Sequence, residues 1–192
     1  SFAGPGTWHS MNVNAGGCCS ARLPIGHWVF RDPGVRRGAV MTPSKISQKV
    51  ATGKIELIER YLHQIEDIDL EPVETFVDSP LHVAAGESNL RRSLEALLDL
   101  GRHVLARGFG VAAVEYSEIG PKLAECRVLD RTQGQTLRKI GGYRNRLVHL
   151  YDEVIPEELH KILTAELKDV VKITEAIKSW LVKNDDRVDS DL

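Results

Sequence analysis

From residue 44 onward the apolar residues of this chain recur at a regular spacing that few folds can use. Near the C-terminal end they fall at Leu159, Leu163, Leu167, Val170, Ile173, Ile177 and Leu181, in steps of three and four. That is the period of one face of an α-helix. Ile46, Val50, Ala51, Ile55, Ile58, Leu62 and Ile65 repeat it, beginning after Ser44 as a candidate cap and ending between Asp69 and Pro72. Asp78-Ser79-Pro80 is a start signal for a second long helix, with proline suited to the first turn, and Gly108-Phe109-Gly110 stops it. A short helix is expected over 117–128. Asp130 with Gln133 three residues on reads as a capping box for a fourth helix, and Pro156 with Glu157 and Glu158 opens a fifth. No segment alternates convincingly at period two, and no repeat of 20–50 residues appears. The expectation is an all-α fold: an antiparallel bundle of four long helices and one short helix over about 45–183.

Composition narrows the classes without choosing one. Of 192 residues, 27% are charged and 42% hydrophobic, which is ordinary globular usage. No apolar run approaches the length of a transmembrane helix. Three cysteines cannot form a disulfide framework, and a net charge of −2 excludes a generally basic nucleic-acid-coating protein. That charge is unevenly divided. Residues 1–44 hold four arginines and one acid, 7 of the 16 glycines and 4 of the 8 prolines, whereas residues 45–192 carry 21 basic and 26 acidic groups. Residues 1–44 show neither period and are expected to be an irregular N-terminal extension, upstream or expression-derived, with Met41 as the natural start; the rival reading is an arm that orders on a partner. The adjacent pair Cys18-Cys19 lacks a second pair at zinc-site spacing. Residues 184–192 read as an acidic, frayed tail.

One helix breaks its own logic. With Leu137 at zero and 100° per residue, Ile140, Gly141, Leu147 and Val148 form the inward stripe, and Arg144 falls in the middle of it. An arginine there must meet a carboxylate, a backbone end or a cleft, because burying its charge unpaired is costly. A salt bridge to a neighbouring helix satisfies that need, and so does a ligand cleft. Gly141-Gly142 has the same two readings, a close helix approach or room for a ligand. On the second helix Glu95, Asp99 and His103 share one face, either a solvated face or a polar rim turned toward Arg144 and His149. His63, His82 and His160 read as isolated surface groups.

The run from Tyr143 to Tyr151, YRNRLVHLY, resembles the R-x4-H-x-Y motif of HepT-type toxins, a branch of the HEPN superfamily. The segments Lys54 to Leu62 and Leu94 to His103 resemble that family in the same order, so the resemblance spans about residues 45–183. It implies a cytoplasmic toxin of a toxin–antitoxin system, acting as a metal-independent endoribonuclease with no cofactor. Arg144 and His149 would be its catalytic pair, brought together in the cleft of a homodimer. Asn145, Glu95 and Asp99 would be auxiliary, and Arg138, Lys139 and Arg146 would add positive charge for RNA, transfer RNA being the family-level substrate. The implied partner is an MntA-like nucleotidyltransferase antitoxin that AMPylates the motif tyrosine, here Tyr151. The chemistry suits these residues: imidazole moves the protons of a 2′-hydroxyl attack, and a guanidinium fork neutralises the phosphorane. Two rivals stand beside it, a non-catalytic HEPN subunit serving a nucleotidyltransferase, and a structural bundle in which Arg144 is simply salt-bridged.

Overall fold

The computed structural model describes residues 42–149 and 155–189. Among the described residues seven α-helices follow in order: α1 (Gln48–Glu66), α2 (Val73–Val77), α3 (Pro80–His103), α4 (Tyr116–Glu125), α5 (Arg131–His149), α6 (Pro156–Lys161) and α7 (Leu167–Lys183). Two π-helical turns prolong or join them, Val104–Gly108 after α3 and Ile162–Glu166 between α6 and α7. The all-α helical bundle expected from the spacing is present, and α6, its π turn and α7 form the single long fifth helix that the leucine stripe outlined. Among the described residues no helix is long and apolar enough to cross a membrane.

The starts and stops follow local chemistry. Asp130 and Gln133 form the reciprocal box: the Gln133 N–H donates to Asp130 Oδ1 at 2.8 Å, and the Asp130 N–H donates to Gln133 Oε1 at 2.9 Å. Ser79 caps α3 through the His82 N–H, and Pro80 occupies its first turn. Gly110, at φ 66°, turns the chain away after the π turn, where an L side chain would be strained.

Three local expectations change. The cap of α1 is Ser47, not Ser44. Ile46 and Ser47 are instead drawn into a two-residue parallel pairing, β1 (Ile46–Ser47) against β2 (Val188–Asp189). The frayed tail expected from residue 184 therefore does not hold as far as Asp189: a 3₁₀ turn at Asp185–Arg187 delivers β2 to β1. The third departure is α2, which is too short for a helical period to reveal. It buries Phe76 against His160, whose Nε2 lies 2.8 Å from the Leu70 carbonyl, so this histidine ties α6 to the loop and is not an isolated surface group.

α3 is the hub. It packs along α1 and touches α2, α4, α5, α6 and α7. Leu97, Leu98 and Leu100 are fully buried along it. α4 and α5 are held closer than side chains normally allow, because Gly120 faces Gly134. A methyl group on Gly120 would run into the Gly134 carbonyl oxygen and the Arg138 nitrogen. This close approach fixes the height at which α5 presents Arg144.

Candidate functional site

α5 carries Arg138, Lys139, Arg144, Asn145, Arg146 and His149 of the expected site residues, α3 carries Glu95 and Asp99, and the neighbours of each decide what it can do. Leu137 and Leu147 are buried on its inward stripe. Arg144 lies between them on the same face, only 15% exposed, and reaches α3 rather than solvent. Its Nη2 donates to Glu95 Oε1 at 2.7 Å. Its guanidinium carbon stands 4.6 Å from the centre of the Tyr116 ring at the start of α4. Charge and ring quadrupole thus hold the arginine from two helices.

The polar line on α3 is partly what the spacing predicted. Glu95 faces Arg144, as a rim residue would. Asp99 does not: its Oδ2 accepts from Lys54 Nζ of α1 at 2.7 Å, and its Oδ1 lies 3.9 Å from Arg102. Nor does His103 join the rim. It sits beside Ser47, Arg107 and Lys54, and burial first, then the charge of Arg107, pushes its pKa below the ordinary imidazole value. The line winds because α3 turns 100° per residue, so eight residues carry the face from α5 round toward α1.

The basic residues of α5 divide in the same way. Arg146 follows Arg144 by two residues, which is over half a turn, so it points to α6. There it makes a bidentate pair with Glu158, at 2.7 and 3.0 Å, which holds that carboxyl below the usual carboxylate range. Lys139 and Arg146 line a cleft of about 780 Å³ with Tyr143, Lys161 and Lys168. It lies on the α6–α7 side of α5, away from Arg144. Arg138 and Lys139 are exposed, and Asn145 is half-buried. His149 is the last residue of α5 and its side chain is outside the described residues, as is the whole of Tyr151.

The two glycines before Arg144 separate the readings the sequence left open. A methyl group on Gly141 would stand 2.8 Å from the Tyr116 carbonyl oxygen, whereas one on Gly142 would meet no atom of the described residues beyond its own stretch of helix within 4 Å. Gly141 therefore serves the close approach that brings Tyr116 to Arg144, and Gly142 faces open space.

The sequence reading did not single out Tyr116, Arg91, Arg102 or Lys54. Arg102 had a usable signal, three residues after Asp99 on the same face. Tyr116 had none, since only the α4–α5 packing brings it to the arginine.

Known proteins resemble this chain over about seven tenths of its length. The tRNA nuclease HepT of Aphanizomenon flos-aquae is 22% identical over 139 residues, 72% of this chain and 95% of that protein. A relative from Archaeoglobus fulgidus is 31% identical over 133 residues, 68% of this chain and 92% of its own length. Among solved structures, a tri-AMPylated HEPN toxin of Shewanella oneidensis in complex with its MNT antitoxin superposes with a TM-score of 0.63 at 21% identity, covering 69% of this chain and 98% of that one. That likeness is one of fold. Residues 58–177, from within α1 to within α7, match the family described as Ribonuclease HepT-like; that span includes the candidate site on α5, and the chain belongs to the HepT-like ribonuclease family.

Proposed function

We propose that this protein is the toxin of a toxin–antitoxin pair and cleaves RNA without a metal ion, with Arg144 and His149 as its reacting pair. The observation that carries the reading is the position of Arg144: a cation on an apolar stripe, 15% exposed, held ready by Glu95 and Tyr116 and followed five residues later by a histidine. A relative named as a tRNA nuclease supports the substrate class, and a toxin-like neighbour bound to an MNT antitoxin supports the partner.

In this mechanism the 2′-hydroxyl of one nucleotide attacks the adjacent phosphate. Neutral His149 takes the hydroxyl proton, and an imidazolium, from the same residue or from a second copy across a two-fold cleft, protonates the leaving 5′-oxygen. Arg144 faces the charge that builds on the phosphorane oxygens, and its planar fork suits them. Glu95 competes with phosphate for that fork, so substrate binding exchanges one carboxylate for one phosphate at Arg144. Asn145 orients phosphate or His149. Arg138 and Lys139 add charge along the exposed side of α5, whereas Arg146, engaged by Glu158, contributes less. Regulation is by AMP transfer from the nucleotidyltransferase to Tyr151, two residues past His149. The added phosphate charge repels RNA and offers Arg144 an intramolecular anion.

The deciding experiment is cleavage of a transfer RNA pool in excess chelator by wild type, Arg144→Ala and His149→Ala, with circular dichroism confirming that all three fold. Wild-type activity lost in both variants is expected. A wild type that cleaves nothing and arrests no growth would overturn the reading in favour of a non-catalytic subunit. Intact mass after co-expression with the antitoxin should rise in units of AMP, and Tyr151→Phe should show no such rise.

A further inference from the structure

The cluster around Arg144 holds more positive charge than it neutralises. Among the described residues, Arg91, Arg102, Arg144 and Lys54 share two carboxylates. Glu95 is taken by Arg144 at 2.7 Å, with Arg91 at 3.6 Å from the same oxygen. Asp99 is taken by Lys54 at 2.7 Å, which leaves Arg102 only its other oxygen at 3.9 Å. The Nε atoms of Arg102 and Arg144 are both buried with no hydrogen-bond partner among the described residues. Both guanidiniums meet one ring: the Tyr116 centroid is 4.8 Å from the Arg102 carbon and 4.6 Å from the Arg144 carbon. The sum of those distances is the most that can separate the two cations. Arg102 is 37% exposed, so its fork reaches solvent beside the more enclosed Arg144.

We propose that Arg102 is a second phosphate-binding residue, kept in register with Arg144 by the Tyr116 ring, so that this face takes two successive phosphates of one RNA strand. The proposal rests on the RNase reading for the identity of its ligand. Physically, two cations pinned to one ring cannot drift apart to find separate counter-ions, and Asp99 is already committed to Lys54. The charge left on Arg102 is satisfied by an anion that arrives with the substrate. A polynucleotide supplies one at a nucleotide's distance from the phosphate on Arg144. Tyr116 is a positioning residue here, and its ring, not its hydroxyl, does the positioning.

The test is equilibrium binding of the full chain to a single-stranded 2′-O-methyl oligonucleotide, which lacks the attacking hydroxyl and stays intact, across a salt series. Arg102→Gln should weaken binding about tenfold at low salt and reduce the salt slope by about 0.7, the value of one lost phosphate contact on a single strand. Arg102→Lys should keep most of the slope. Tyr116→Phe should match wild type, and Tyr116→Leu should lose affinity as Arg102→Gln does. A slope unchanged in Arg102→Gln, or wild-type binding by Tyr116→Leu, overturns the proposal even if the protein cleaves RNA. An Arg102-dependent slope in a protein that cleaves nothing upholds the proposal while removing the RNase reading.

Discussion

Arg144 and Glu95, 49 residues apart in sequence, meet at 2.7 Å and join α5 to α3. The pair is unequal: the arginine is 15% exposed and the glutamate 30%. Removing the glutamate strands a nearly enclosed cation, whereas removing the arginine leaves a carboxylate that water and Arg91 can serve. Glu95→Ala should therefore cost more stability than Arg144→Ala, roughly 1–2 kcal/mol against under about 1 kcal/mol after allowance for solvent screening. Urea melts of both single variants and the double variant check this. Equal costs with no coupling would show that the pair is structurally idle.

The neighbouring glycines of α5 should respond with opposite signs. Gly141→Ala pushes a methyl into the Tyr116 backbone and should destabilise by about 1–3 kcal/mol. Gly142→Ala meets open space inside a helix and should stabilise by about 0.5–1 kcal/mol, because alanine lowers the entropy lost on folding. Thermal melts decide it. A stabilising shift in both would mean that α4 and α5 are not in contact at this point, and a destabilising shift in both that Gly142 does not face open space.

Tyr143 lies with its hydroxyl buried and without a hydrogen-bond partner among the described residues, and burial pushes its pKa up to about 12. Tyr143→Phe removes a polar atom that folding strips of water and does not repay. It should leave stability unchanged or raise it by roughly 1 kcal/mol. A marked loss in denaturant midpoint would mean that the hydroxyl has a role in the folded protein.

His103 gives the stability curve an acid limb. Its pKa in the folded chain is lowered, mainly by burial and then by Arg107, so the unfolded chain binds its proton first as pH falls. Its stability contribution is intact above the unfolded value near 6.5 and is lost as pH falls through the lower folded value. Denaturant midpoints of wild type should decline from pH 7 to pH 5 more steeply than those of His103→Gln. Parallel declines would assign the acid sensitivity to other groups.

What the sequence revealed and what it hid follow the range of each interaction. The Asp130–Gln133 box lies within four residues, and the stripes of α1, α3, α5 and α7 are properties of single helices, so spacing alone exposed them. The same spacing marked Arg144 as anomalous and Glu95 as a candidate to meet it. It could not choose Glu95 over Asp99, because that choice depends on how α3 is rotated against α5. Tyr116 was invisible for the same reason: its value comes from a glycine on another helix. Ser47 displaced Ser44 as the cap of α1 because Ile46 pairs with Val188, a partner no local period can indicate.

That pairing has a mechanical side. β1 and β2 run parallel, and the Ser44 N–H and the Arg187 side chain bond to the carbonyls of Arg107 and Gly108 on the π turn between them. A chain pulled by its two flanks would load this clasp in shear, with its bonds strained together instead of peeled one by one. The load would fall first on this clasp and on the π turn at the end of α3, and only after these bonds part would it pass on to α5 and Arg144.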